Sequence, residues 1–224
     1  MLRTVSLLTA LLLSAASLMA QSAGKPDRPF SASVQGGALF SVNENSFTYV
    51  DNDRTGELFT FHGGLNFGYR LTGRYGARLS ASFGRNVSAC NTDQTHQGGF
   101  YPYKFNSINV FADWLINLSN EWAGFSPIFY LGIGGAYTFG FTESGHPWQK
   151  LSHKNTVPGA RVGLMFEYDF SEKLGMYLDI CGEGYADTYN GLQPHKGDHD
   201  QVYGSAGFPY DLRGTAALGV VFHF

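Results

Sequence analysis

Beyond its first twenty residues, the 224-residue chain lacks any apolar run near the roughly 18 residues of a helical membrane span. It is also poor in charge, at 15% Asp, Glu, Lys and Arg, and it contains only two cysteines. No basic cluster marks a nucleic-acid interface, so no nucleic-acid partner is expected. The chain is instead rich in glycine and aromatics, with 29 Gly, 19 Phe and 13 Tyr. These proportions suit membrane-crossing strands, whose alternating faces escape a hydropathy scan.

The N-terminus has the composition of a secretory signal peptide. Arg3 supplies a positive charge, an apolar stretch diluted by Ser and Thr follows, and Ala20 offers a small residue for cleavage. We therefore predict that residues 1–20 are removed on export. Residues 21–29 are then a short N-terminal lead-in, and residues 30–224 form a single all-β domain.

The two cysteines would meet an oxidising compartment after export, so a disulfide has to be considered. Counted from the nearest tight turns, Cys90 and Cys181 differ in height along a tilted barrel by about 15–20 Å. A disulfide needs Cα atoms within about 7 Å of each other. Both thiols are therefore predicted to be free.

Period-two alternation of apolar and polar residues, the signature of a strand, recurs eight times, and no run has the 3.6-residue period of a helix. In the sixth run, Leu164 and Phe166 face one way, and Arg161, Met165 and Glu167 face the other. The predicted strands are Phe30–Val42, Leu58–Leu71, Tyr75–Val87, Phe105–Leu118, Ile128–Phe141, Val157–Phe170, Leu174–Asp187 and Tyr210–Phe224.

Long and short connections alternate strictly between these strands. Such alternation predicts an antiparallel up-and-down meander with all long loops at one end and all short turns at the other, as in outer-membrane barrels. The long links are residues 43–57, 88–104, 142–156 and 188–209, and the short ones are 72–74, 119–127 and 171–173.

Alternation alone does not say which face lies outside, because a secreted lipocalin-like carrier has the same period with its apolar face inward. Runs of 13–15 residues are long enough for a tilted membrane span of about 9–11. Aromatics on the apolar face gather near both strand ends, as in an interfacial girdle, and charges of both signs lie mid-strand on the polar face. The girdle residues are Phe30, Tyr69, Tyr75, Phe129, Tyr168, Phe170, Phe222 and Phe224 at the turn end, and Phe40, Phe59, Phe83, Phe141 and Tyr210 at the loop end.

The last strand carries the most specific signal. Tyr210 to Phe224 reads YDLRGTAALGVVFHF, with apolar residues or Gly at every second position and Phe222 and Phe224 at its end. It resembles the C-terminal strand of bacterial outer-membrane β-barrels, which the barrel assembly machinery of that family recognises. Residues 30–224 thus resemble the small barrels that include the OmpA transmembrane domain and OmpX. This resemblance implies an eight-stranded antiparallel transmembrane β-barrel.

The same resemblance implies a location in the cell outer membrane and contact with its lipid and lipopolysaccharide. A monomer is expected, with long loops that could contact an extracellular ligand. Members of the family differ in what they do, so the fold does not assign a role. We expect a non-enzymatic barrel with a structural, surface-interaction or limited-permeation role. A lipid A-modifying barrel enzyme is the other alternative.

The predicted interior face includes seven charged residues for which we expect ion pairing. The interior of an eight-stranded barrel is just wide enough for side chains to fill it, and an isolated buried ion costs several kcal/mol. We therefore predict that these charges pair with one another in the lumen. They are Arg78, Asp113, Arg161, Glu167, Asp179, Glu183 and Arg213.

Three short motifs resemble functional sequences, but each lacks a feature that its chemistry needs. Residues 51–57 resemble the start of a calcium loop but lack the glutamate an EF-hand needs at its twelfth position, and they join strands rather than helices. His195 and His199 lie in a loop that Gly and Pro keep from forming a metal-binding helix. Residues 153–156 read HKNT and lack the serine of the lipid A deacylase motif. No catalytic residue, cofactor or metal is therefore assigned.

Overall fold

The computed structural model describes seven stretches of the chain, and the predicted signal peptide lies outside them. In the described residues, no helix is both long enough and apolar enough to cross a membrane. The described stretches are residues 27–42, 53–90, 101–119, 124–142, 154–186, 188–191 and 210–224.

Eight antiparallel strands form one closed barrel in which each strand pairs with its neighbours in sequence. The predicted all-β, up-and-down architecture is therefore confirmed. The largest difference between a predicted and an observed strand end is at the start of the fourth strand, which begins at Tyr101 rather than at Phe105. The strands are β1 (Phe30–Val42), β2 (Phe59–Arg70), β3 (Tyr75–Cys90), β4 (Tyr101–Asn117), β5 (Phe125–Phe139), β6 (Lys154–Asp169), β7 (Leu174–Ala186) and β8 (Tyr210–His223).

Pairing of β1 with β8 closes the sheet and leaves no free edge. At the turn end of this seam, Phe30 N–H donates to the Phe224 carbonyl at 3.1 Å and Phe224 N–H donates back at 2.9 Å. The two rings stack outside the barrel with centroids 6.0 Å apart. The barrel is thus sealed by backbone bonds and by an aromatic contact at the same place.

Side-chain hydroxyls stabilise two of the short turns. Thr72 Oγ1 accepts from the N–H groups of Arg74 and Tyr75, at 3.2 and 3.0 Å, in the β2–β3 turn. Ser171 Oγ accepts from Leu174 N–H at 3.0 Å in the β6–β7 turn. Such local bonds are the reason that Ser and Thr favour tight turns.

The two faces of the sheet have opposite character. On β6, Leu164 is 42% exposed whereas the adjacent Met165 is 5% exposed, as a period of two requires. The outward face is covered by large exposed apolar side chains from every strand, and the inward face holds buried polar and charged groups. This arrangement inverts that of a soluble lipocalin-like barrel.

Two details differ from the sequence-based expectations. Residues Thr55–Leu58 form a short 3₁₀ helix, and Leu58 packs on Val87 and Ala89. Phe141, expected in the outer aromatic girdle, instead stacks on the inward-facing Phe105 with centroids 4.9 Å apart. The strand ends at Phe139, and Gly140 then adopts a φ of 65°, which releases Phe141 from the alternation of β5.

Candidate functional site

The barrel interior is organised around one row of paired positions that runs across six strands. Arg78 pairs with Asp113, and Asp113 pairs in turn with Gly132 of β5. The row continues from Gly132 through Arg161 to Glu183 and Arg213. Charges of opposite sign therefore alternate along the row, with a single uncharged position. Opposite charges on directly facing strand positions stabilise a sheet.

We call Arg78, Asp113, Arg161, Asp179 and Tyr130 the middle cluster. Arg78 Nε donates to Asp113 Oδ2 at 2.6 Å, and Arg78 Nη1 donates to Asp179 Oδ2 at 3.1 Å across the lumen. Tyr130 Oη donates to Asp179 Oδ1 at 2.6 Å, and its ring lies 4.3 Å from Arg78 Cζ. Each carboxylate thus receives at least two donors, so these buried charges are compensated.

Glycine makes room for two of these contacts. Arg161 reaches Asp113 past Gly132, where an added Cβ would lie 2.9 Å from Arg161 Cγ and closer still to Asp113 Oδ1. The Tyr130 ring in the same way covers Gly163, whose added Cβ would clash with it. A side chain at either glycine would therefore push the middle cluster apart.

The loop-end cluster, consisting of Glu183, Arg213, Tyr185 and Tyr189, lies beyond the middle cluster. Glu183 Oε2 accepts from Arg213 Nε and from Tyr185 Oη, both at 2.6 Å. Arg213 Nη1 donates to Tyr189 Oη at 3.2 Å. Arg161 Nη1 lies 3.8 Å from Glu183 Oε1 and so connects the two clusters.

Tyr189 belongs to a short segment after β7, residues 188–191, which we call the cap segment. Its ring stacks on Tyr185 with centroids 4.2 Å apart, and Tyr103 Oη donates to the Asn190 carbonyl at 2.8 Å. Burial raises the pKa of the Tyr189 hydroxyl, which therefore stays protonated at neutral pH. The cap segment thus fills the loop end of the lumen.

The turn-end cluster, consisting of Arg70, Glu167, Asp169 and His223, closes the opposite end. Arg70 Nη2 donates to Glu167 Oε1 at 2.6 Å and lies 3.6 Å from Asp169 Oδ2. His223 Nε2 lies 3.0 Å from Asp169 Oδ1. The Arg70 guanidinium thus contacts two carboxylates and a histidine in this cluster.

A donor set of this type could also hold a metal ion, because ligand atoms of Glu167, Asp169 and His223 lie within 4.8 Å of one another. The Arg70 guanidinium, however, touches the same atoms, including His223 Nε2 at 3.2 Å. A metal ion would have to displace this fixed positive charge. The cluster is therefore better described as an ion-pair group than as a metal centre.

Between the turn-end and middle clusters lies a cavity of about 30 Å³, lined in part by Arg70, Arg78 and Glu167. A cavity needs a volume of about 10–15 Å³ to hold a single water molecule. The cavity therefore has room for one or two waters but not for a larger solute. Elsewhere in the described lumen lie the buried side chains of the middle and loop-end clusters.

The structure places all seven charged residues of the sequence prediction on the inward face. Six of them join the middle and loop-end clusters, and Glu167 lies in the turn-end cluster. The sequence reading did not include Arg70, Tyr130 or Tyr189 in this network. The alternation of inward and outward residues along β2 and β5 could have identified Arg70 and Tyr130, since each lies an even number of positions from other inward residues of its strand. No pattern marked Tyr189, which lies outside the strands.

The remaining sequence motifs contribute little to this site. Cys181 is a free, buried thiol on β7, as predicted, whereas the Cys90 side chain lies outside the described part. Of the calcium-like stretch 51–57, residues 55–57 begin the 3₁₀ helix, and residues 51 and 52 lie outside the described part. Arg54 Nε, just before the helix, donates to Glu57 Oε1 at 2.7 Å. His195 and His199 lie outside the described residues.

Comparison with known proteins supports the architecture. No family model and no curated protein sequence matches the chain. Among solved structures, a major outer-membrane protein of Thermus thermophilus is 15% identical, with a TM-score of 0.51, over 87% of this chain and 99% of its own.

The chain has the fold of a small outer-membrane β-barrel. Neisserial surface protein A matches at 12% identity and a TM-score of 0.45, covering 87% of this chain and 97% of its own. OprG of Pseudomonas aeruginosa matches at 14% identity and a TM-score of 0.44, covering 88% and 97%. The closed eight-stranded sheet and the match to the Thermus thermophilus protein confirm the expected resemblance to small outer-membrane barrels for the fold. Identities this low carry no information about activity.

Proposed function

We propose that this protein is a non-enzymatic, integral outer-membrane barrel with a plugged lumen, which stabilises the envelope and presents its loop end to the exterior. The observation that carries the proposal is the contrast between the two faces of the sheet. Apolar side chains cover the outside, and ion pairs fill the inside. An exterior of this kind is stable only in an apolar environment such as the lipid bilayer. Closed β-barrels and α-helices are the two structures that can span a bilayer.

The lipocalin-like alternative has the opposite distribution of polarity. A soluble carrier would need an apolar cavity for its ligand, but the described interior holds three charged clusters and a water-sized cavity. A soluble protein with apolar side chains exposed on every strand would also aggregate in water. We therefore set this alternative aside.

In the part of the chain that the structure describes, no carboxylate of the strands lies on the lipid-facing side, where a lipid-modifying enzyme would need one. General acid–base chemistry needs a group within hydrogen-bond reach of its substrate. The carboxylates of the described strands point into the lumen, away from lipid. Within the three clusters, these carboxylates contact arginine or tyrosine side chains. This arrangement favours a structural role for the charges.

Two measurements test the proposal. The full-length protein should fractionate with the outer membrane and migrate faster on gels before boiling than after. In planar bilayers the purified barrel should give at most small, rare openings, because side chains fill the lumen. Recovery as a soluble periplasmic protein would refute the membrane location, and large steady channels would refute the plugged lumen.

A further inference from the structure

The outward face of the barrel carries very little charge, and all of it has one sign. Among the strand residues whose side chains the structure describes, only three charged residues point outward, and all three are basic and exposed. Every described acidic residue on the strands points into the lumen. The outward cations are Arg85, Lys104 and Lys154.

These cations are gathered on one side of the barrel rather than spread around it. Arg85 on β3 pairs with Asn106 on β4, Asn106 pairs with Phe139 on β5, and Phe139 pairs with Lys154 on β6. The row therefore spans three strand spacings, or about 14 Å. Lys104 lies two residues from Asn106 along β4, about 7 Å nearer the loop end. We call Arg85, Lys104 and Lys154 the basic patch.

The patch lies where a membrane surface would lie. Along β4, the outward residues change from Lys104 and Asn106 to the exposed apolar Ile108 and Val110 toward the turn end. On β3, Arg85 is likewise followed by Phe83, which is 40% exposed. The charged groups are thus at the edge of the apolar band, the level at which lipid headgroups meet the aromatic girdle.

No protein group neutralises the patch within the part of the chain that the structure describes. The described ion pairs do not involve its three side chains. At this end of the barrel, the described acids outside the lumen are Asp53 and Glu57, before β2, and Glu57 is paired with Arg54. Three cations without an ion-pair partner among the described residues therefore face the headgroup layer.

The geometry points to a binding site for a phosphorylated glycolipid of the outer leaflet, held on the β3–β6 side by Arg85, Lys104 and Lys154. Its acyl chains would lie on the apolar side chains below, while its phosphates accept hydrogen bonds from the cations. The spread of the patch suits a headgroup with more than one phosphate, because one phosphate could not meet all three cations in their present positions. The inference rests on the proposed membrane location, since a soluble protein would not meet this lipid.

The test uses the full-length protein in detergent micelles, with native mass spectrometry as the readout of bound lipid A. The triple variant Arg85→Gln, Lys104→Gln, Lys154→Gln is compared with the control Arg28→Gln, Arg74→Gln, Lys173→Gln. The control removes the same charge from the turn end. Each cation near an anionic lipid surface contributes about fivefold in affinity, so the patch variant should bind lipid A about 100-fold more weakly. The control should stay within about twofold.

Two lipid controls identify the ligand chemistry. Dephosphorylated lipid A should bind the unaltered protein as weakly as lipid A binds the patch variant. Excess inorganic phosphate should not displace lipid A; displacement would show a site for free phosphate and overturn the glycolipid. Equal losses in both triple variants, or equal binding of the two forms of lipid A, would also overturn the proposal.

Folding is monitored separately by the gel shift between unheated and boiled samples. If the triple variant fails to fold, the three single Gln variants replace it, each with an expected loss of about fivefold. A normal gel shift and membrane fractionation with no lipid A preference would reject the patch and leave the proposed membrane barrel intact. Soluble behaviour of the unaltered protein would instead reject the proposed function.

Discussion

Asp113 and Arg161 form a two-point ion pair across an intervening strand. Arg161 Nε donates to Asp113 Oδ1 at 2.7 Å, and Arg161 Nη2 donates to Asp113 Oδ2 at 2.6 Å. The residues lie on β4 and β6, and Gly132 of β5 lies between them. Paired, parallel hydrogen bonds of this kind are among the strongest polar contacts in proteins. The missing side chain at Gly132 allows the pair to form.

The first prediction concerns that glycine. Gly132→Ala should lower the free energy of unfolding by about 1–3 kcal/mol, because the added methyl group overpacks the contact between Asp113 and Arg161. The measurement is a denaturant titration of the barrel in detergent micelles.

The matched control is Gly182→Ala on β7, where the nearest atom to an added Cβ is 4.0 Å away. This variant should be unchanged or more stable by about 0.4–1 kcal/mol, because alanine restricts the unfolded chain. Equal stability of the two variants would show that Gly132 is not needed for the ion pair.

The second prediction concerns the carboxylate that two arginines share. Asp113→Ala removes the 2.6 Å partners of Arg78 and Arg161 and leaves buried positive charge only partly compensated. The expected loss of unfolding free energy is about 3–5 kcal/mol. Glu172→Ala, which breaks an exposed ion pair with Arg28, should cost about 0–1 kcal/mol. Similar losses in the two variants, measured by denaturant titration, would contradict the buried network.

The third prediction tests the assignment of the two faces. Leu164→Arg places a charge on the exposed apolar face and should cost about 2–4 kcal/mol near the bilayer midplane. Met165→Gln, one residue along, faces the lumen, where Arg78 Nη1 already lies 3.4 Å from the Met165 sulfur. It should be much milder, since polar partners are present. Folding yield into lipid vesicles is the measurement, and the reverse order of severity would invert the faces.

The fourth prediction concerns the seam between the first and last strands. We expect deletion of Phe224 to lower the barrel yield in cells more than the stability of barrels that have formed, because the terminal strand resembles a signal for the assembly machinery. Comparing the yield in cells with refolding into detergent separates the two effects. Phe222→Ala should act in the same direction. A deletion variant that assembles normally would mean that the resemblance is incidental.

Much of the fold follows from local pattern. Leu164 and Met165 have opposite exposures because successive strand residues point to opposite faces whatever the partner strand is. Strand number and order also follow, since short polar turns permit only antiparallel neighbours. The girdle position of Phe141 was wrong because a glycine with positive φ follows Phe139, where the strand and its alternation end.

The interior charges were identifiable as a set but not as pairs. Parity places Arg78, Asp113 and Arg161 on one face, but a contact between two of them depends on the stagger of neighbouring strands. A shift of one residue in register would exchange the faces, and a shift of two would keep the faces and change every partner. Only the closed barrel determines which charges meet.

Period-two alternation is a local property of the backbone, so the strands, their faces and the polar character of the lumen could be predicted from the sequence. The side-chain partners in the lumen depend on the closed barrel. Arg70 meets Glu167, 97 positions away along the chain, and Tyr189 folds back into the lumen from outside a strand. The closed barrel also gathered Arg85, Lys104 and Lys154 on one side, since closure and register place separate strands side by side. Contacts between distant residues depend on that closure, which no local pattern encodes.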